Sequence, residues 1–148
     1  MISKIRFIIW GLSYVFSALF FIPAMAITKS RNRPFRRFWC QGLIVPFGIK
    51  VQIEGAPDPE AKMFASNHRS FLDIVLLEAI VPSSIDMAWI AKQQLMKTPV
   101  IGWMLRAGRM IPIERENKRG VIKMLKAMKE PLEEGRTIVI FPEGTRSK

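Results

Sequence analysis

Cysteine, histidine and tyrosine each occur once in the 148 residues. A single cysteine, Cys40, excludes an internal disulfide, and one histidine beside one cysteine leaves no zinc site, so no metal is expected. Acidic residues are scarce and late, with none before Glu54. Lysine and arginine number 23 against 12 aspartate and glutamate, a formal net charge of +11 that calls for an anionic partner. The aromatic residues sit in apolar runs rather than interleaved with Lys and Arg, which argues against nucleic acid. No repeat or low-complexity tract appears, and the length suits one domain plus an anchor.

From Phe7 to Ile27 no residue is charged. As a helix rising ~1.5 Å per residue, this run reaches about 30 Å, roughly a bilayer core. Pro23 is expected to kink or end it. A secretory signal is the competing reading, with Lys4 and Arg6 before the apolar core and Ala24-Met25-Ala26 as a small-residue cleavage site. The basic flank Lys29, Arg31, Arg33, Arg36 and Arg37 argues instead for a retained anchor with that flank on the cytoplasmic side of the inner membrane. Basic residues beside an apolar segment suit a phospholipid headgroup layer better than DNA. The expected division is an anchor over residues 1–37 and a domain over 38–148. Phe38 to Ile49 is apolar but too short to span; it reads as an interfacial helix packing on the first, or as the first core segment of the domain.

Further along, strand and helix signals alternate. Strands are predicted at Val51–Ile53, Lys62–Ala65, Asp86–Ala91, Met110–Ile113 and Thr137–Phe141. Helices are predicted at Phe71–Ile80 and Val100–Ala107. Another carries Val121, Leu125, Met128 and Leu132 at helical spacing, with Asn117 as N-cap and Gly135 as the stop. Met124 and Met128 read as core residues rather than ligand contacts. The alternation predicts an α/β domain with a largely parallel sheet flanked by helices. In such folds ligands gather at the loops after the strand carboxyl ends.

The chain is organised around Ser66-Asn67-His68-Arg69-Ser70-Phe71-Leu72-Asp73, a polar loop running into an apolar helix. Ser70 and Asp73 have capping-box spacing, which leaves His68 in the loop just before the helix, able to meet the Asp73 carboxylate. A carboxylate-held imidazole is a general base, because the carboxylate sets the tautomer and stabilises the imidazolium. Arg115 and Arg146 each follow a predicted strand and present guanidinium forks suited to phosphate. Glu143 reads as a partner for Arg146 or for a substrate hydroxyl, and Gly144 as a place of close backbone approach or positive φ. Asn67 either stabilises the loop or contributes to an oxyanion site.

Asn67-His68-x4-Asp73, then Gly108-Arg109-Met110-Ile111-Pro112-Ile113-Glu114-Arg115, then Phe141-Pro142-Glu143-Gly144-Thr145-Arg146-Ser147, in that order, resembles the glycerophospholipid acyltransferase family. The likeness runs from about residue 38 to the end and is nearest to its bacterial 1-acyl-glycerol-3-phosphate acyltransferases. It implies acyl transfer from acyl-CoA or acyl-carrier protein to the free hydroxyl of a lysophospholipid at a membrane, without cofactor. It implies that His68 is the base and Asp73 its orienting carboxylate. Arg115, Glu143, Gly144, Thr145 and Arg146 would then handle the substrate phosphate, with Asn67 and Gly108 in support. The chain departs from the family pattern at Arg109, where the family usually has glycine, and Gly108 stands one step earlier. The family also continues past the third motif with more sheet and a fourth, mostly apolar motif, so the resemblance implies a C-terminally truncated chain.

Overall fold

The computed structural model of the chain describes residues 4–29, 32–44, 48–114 and 118–144. Two helices, α1 (Lys4–Thr28) and α2 (Arg33–Ile44), precede an alternating run. The run is β1 (Met63–Ala65), α3 (Leu72–Ile80), β2 (Met87–Lys92), a 3₁₀ turn (Gln93–Lys97), α4 (Ile101–Ala107), β3 (Ile111–Ile113), α5 (Lys118–Ala127), α6 (Lys129–Glu133) and β4 (Thr137–Ile140). The four strands form one sheet in the order β1-β4-β2-β3, and every pairing is parallel.

Side-chain alternation along the strands builds a core on each face of the sheet. Met87 and Trp89 of β2, with Val139 and Phe141 at β4, face α3 and pack against its Ile74 and Leu77. Ala88 and Ile90, with Ile138, face the other way onto Met124 and Met128 of the α5–α6 segment. The chain moves outward from β1 to β2 and β3, then returns to β4. Right-handed crossovers place helices from the outward and return legs on opposite faces. Outside α3 lies α2, and α1 packs in turn on α2 and α4.

Several sequence expectations need correction. Val51–Ile53 is not a strand; all three residues are exposed, and with neither face buried nothing rewards extended pairing. Pro23 does not end α1, which runs on to Thr28. The fully buried Met25 ties down the turn beyond the proline, while Pro23 itself is exposed, where a displaced carbonyl can be solvated. The helix predicted through Leu132 is broken at Met128, because Pro131 cannot donate to the carbonyl of Ala127 and its ring crowds it. Its buried stripe is Met124 and Met128, as expected of core residues, but Val121 and Leu125 are exposed. Gly135 does stop it, with φ of 77°. The N-cap expected at Asn117 lies outside the described residues.

The N-terminal charges change meaning. Arg33 and Arg36 do not form a headgroup-facing flank: they are 2% and 4% exposed and point into the domain. The division drawn between residues 37 and 38 falls inside α2, whose Arg33 and Trp39 are both buried. Along α1, Tyr14, Ala18, Ile22 and Met25 recur at helical spacing and pack on Trp39 and Ala107. The Tyr14 hydroxyl donates to the Trp39 carbonyl at 2.7 Å, and the two rings stack at 5.1 Å. The opposite face, including Leu12, Phe16, Leu19 and Phe20, is more than half exposed. Ile8–Thr28 is long and apolar enough to cross a membrane.

Candidate active site

Strand β1 hands the chain to the loop that carries His68. The Ser66 N–H donates to the Ile140 carbonyl at 3.1 Å, a last rung that ties this loop to the end of β4. Six residues after Ser66 α3 begins, and its first turn brings Asp73 back over the loop. Asp73 Oδ2 lies 3.0 Å from His68 Nδ1 and accepts the backbone N–H groups of Arg69 and Ser70, each at 2.7 Å. The capping-box spacing is thus half realised: the carboxylate reaches back to the Ser70 N–H, but Ser70 Oγ accepts from Leu72 N–H, and regular helix starts at Leu72. Burial alone pushes the Asp73 carboxyl up. The Ser70 and Arg69 N–H donors and the His68 ring outweigh it and hold the carboxyl below its ordinary value.

The imidazole has a second constraint. It stacks on Phe141 with ring centroids 4.1 Å apart and planes 16° from parallel. At 17% side-chain exposure it is walled in yet reachable from solvent. The arrangement can take a proton at Nε2 while the carboxylate neutralises the charge that forms on the ring.

Beyond β4 the Gly144 N–H donates to the Phe141 carbonyl at 3.0 Å, closing a turn with Pro142 second and Glu143 third. Gly144 has φ of 68°, the left-handed conformation its sequence position suggested. Glu143 is exposed on this turn, two residues after the Phe141 that stacks on His68. Asn67 is exposed too, and its carbonyl accepts from Ser66 Oγ at 3.2 Å. Arg115, Thr145 and Arg146 lie outside the described residues. Strands β1 and β4 are neighbours, whereas β3 is three strand spacings from β1, roughly 14 Å. The three motifs therefore leave the same edge of the sheet, the first and third side by side and the second farther along.

Gly108 serves the scaffold. It caps α4, its carbonyl accepts from Arg136 at 3.1 Å, and a Cβ there would collide with Met110. Arg109 is the residue with positive φ, 54°, which explains why glycine suits that place in the family pattern. Here ion pairs to Glu130 and Glu134, each at 2.7 Å, hold the arginine in that conformation.

Sequence reasoning missed the buried ionic core behind the site. Glu78, 4% exposed, accepts Arg33 Nη1 at 2.5 Å on Oε2 and the Trp89 indole N–H at 2.6 Å on Oε1. Arg36 lies 3.6 Å from the same carboxylate and also pairs with Asp86, and Asp86 pairs with Arg136 at 3.0 Å. The available signal was a lone acid among apolar residues in Ile74–Ile80, which demands a buried cationic partner. An apolar groove of about 450 Å³ lies elsewhere, between α1 and the start of α4, lined by Leu12, Phe16, Leu19, Val100 and Trp103. Among the described residues no group of three or more His, Cys, Asp or Glu side chains could hold a metal ion.

Fold and site together define an α/β domain with a carboxylate-held imidazole at the carboxyl edge of a parallel sheet. Comparison with known proteins narrows this: the acyltransferase family model matches residues 48–148, and the chain belongs to that family. It is 43% identical over 120 residues to a 1-acyl-sn-glycerol-3-phosphate acyltransferase of Helicobacter pylori, covering 81% of this chain and 50% of that one. It is 28% identical to a lyso-ornithine lipid O-acyltransferase of Rhizobium meliloti, over 99% of this chain and 51% of that one. Among solved structures it is similar to the 1-acyl-sn-glycerophosphate acyltransferase of Thermotoga maritima. That match has a TM-score of 0.66 and 25% identity, over 99% of this chain and 64% of the other. The chain spans about half the length of the curated relatives it matches. The exposed apolar face of α1 is consistent with membrane association.

Proposed function

We propose that this protein transfers a fatty acyl group from an acyl thioester, on CoA or on acyl-carrier protein, to the free sn-2 hydroxyl of 1-acylglycerol 3-phosphate, giving phosphatidic acid. The observation that carries the reading is the His68–Asp73 pair, 3.0 Å apart at the strand edge of a chain of this family. With Nδ1–H donated to Asp73, Nε2 takes the hydroxyl proton as the oxygen attacks the thioester carbonyl. The C–S bond then breaks and the thiol leaves with the proton from the imidazolium. The acyl group passes directly to the acceptor, so neither a cofactor nor an enzyme-bound intermediate is needed. Arg115, Arg146 and Thr145, with the Glu143–Gly144 turn, hold the acceptor phosphate.

The packing of α1 supports its insertion into one leaflet. Tyr14, Ala18 and Met25 lie against α2 and α4, so crossing the bilayer would drag those helices with it, while the outer apolar face is open to lipid. In this orientation the protein sits on the cytoplasmic side of the inner membrane, where soluble acyl donors reach the site. The test is thiol release by the purified full chain, with acyl-CoA or acyl-carrier protein as donor and lysophosphatidic acid or other lysolipids as acceptor. His68→Ala should abolish acceptor-dependent release while membrane association persists. Near wild-type turnover in His68→Ala would sink the mechanism, and preference for an acceptor without phosphate would sink the substrate.

A further inference from the structure

A single hydrogen bond, such as the one to Asp73, fixes one edge of the His68 ring but does not by itself set the ring plane. Proton transfer at Nε2 needs the ring plane as well, within roughly 10–20°. Phe141 supplies that plane through the 4.1 Å stack, so the question becomes what holds Phe141. Its other neighbour is Trp89, with centroids 5.5 Å apart and planes 31° from parallel. Trp89 is 3% exposed, and a buried indole N–H requires an acceptor, which sets its rotamer. That acceptor is Glu78, at 2.6 Å.

We infer that Glu78 and Trp89 are positioning residues for His68: the buried carboxylate locks the indole, the indole backs Phe141, and Phe141 sets the plane of the imidazole. This rests on reading His68 as the base. The circuit closes on one rigid element, because α3 carries both Asp73 in its first turn and Glu78 near its end. A displacement of α3 therefore moves both constraints together. The role also accounts for a charged residue in this place. A buried ion pair is commonly replaceable by apolar side chains of similar volume without loss of stability. No apolar side chain, however, can accept the indole N–H while meeting Arg33 and Arg36.

His68 is the only histidine, so its imidazole C–H signals are unambiguous in NMR spectra of the full chain in detergent micelles. Stacked over Phe141, they should lie upfield, in its ring current. Phe141→Leu removes that ring and calibrates the effect. Trp89→Phe keeps an aromatic ring but loses the hydrogen bond to Glu78. It should move the His68 signals toward the Phe141→Leu position and lower kcat on the order of 10- to 100-fold. KM for both substrates should stay within about twofold. If Trp89→Phe fails to fold, Glu78→Gln tests the same lock: the charged Arg33 draws the amide oxygen and leaves the NH₂ facing the indole N–H, so the His68 signals should move here too. Unmoved His68 signals in a folded Trp89→Phe, or in a folded Glu78→Gln, would overturn the inference. Should the signals move as expected while His68→Ala retains turnover, the base assignment fails and the positioning geometry stands.

Discussion

Asp73→Asn separates two services that the carboxylate performs. In the serine-protease triad, the corresponding change costs about 10⁴ in kcat because the amide turns and imposes the wrong tautomer. The surroundings here oppose that turn. Oδ2 accepts two backbone N–H groups at 2.7 Å as well as His68 Nδ1 at 3.0 Å, so an NH₂ in its place would face two donors. Asparagine therefore keeps its oxygen toward His68, and the tautomer survives. What is lost is the negative charge that steadies the imidazolium. One charge-assisted hydrogen bond is worth about 1.5–3 kcal/mol, which is roughly 10- to 150-fold in kcat. Stability should change by less than about 1 kcal/mol, since asparagine and aspartate serve comparably at helix N-termini. Steady-state thiol release with saturating lysophosphatidic acid gives kcat, and a thermal melt in detergent gives the stability. A loss near 10⁴ would show that the amide does turn. A loss under about threefold would show that the charge on Asp73 does not serve the transition state.

Three further outcomes are expected. Among the described residues, Glu78→Ala leaves the buried Arg33 guanidinium only the carbonyls of Ile85, Glu78 and Val81 as acceptors. The cost should be about 3 kcal/mol, the low end for a broken buried pair, lowering the melting temperature by about 6–12 °C. A shift under about 2 °C would refute that weight. Asp73, with its carboxyl held below the ordinary value, stabilises the fold fully above the unfolded-state value of about 3.9. That contribution is lost as pH falls through the lower folded value. Asp73→Asn should remove this part of the acid dependence, and superimposable pH–stability curves would contradict it. Arg115→Ala and Arg146→Ala should each raise KM for lysophosphatidic acid about 10- to 150-fold, the worth of one lost charged hydrogen bond. Lysine should rescue only partly, because it keeps the charge without the planar fork. A change confined to the acyl donor would remove both arginines from the phosphate site.

Local chemistry made much of this protein legible in advance. Strand and helix alternation depends on side-chain periodicity along short segments, so β1, α3, β2, α4, β3 and β4 fall within a residue or two of their predicted bounds. The His68–Asp73 contact was equally readable, because it closes within one loop and one helical turn. Val51–Ile53 misled because two-residue alternation describes a strand but does not supply its partner. Arg33 and Arg36 misled for a related reason. Beside an apolar run an arginine looks like a headgroup contact, and only packing of α2 on α3 brings Arg33 to Glu78, 45 residues away in sequence. Burial of a charge is a property of two segments meeting, and neither segment records it alone. The same holds for Phe141, which motif reading placed near the site but which became the wall of the imidazole only when β4 slotted in beside β1. Sequence determined which groups this protein has for its chemistry and the order in which strands present them. Tertiary structure decided which of its charges are buried, which apolar face of α1 is left exposed, and how the plane of His68 is held, because each depends on contacts between segments far apart in the chain.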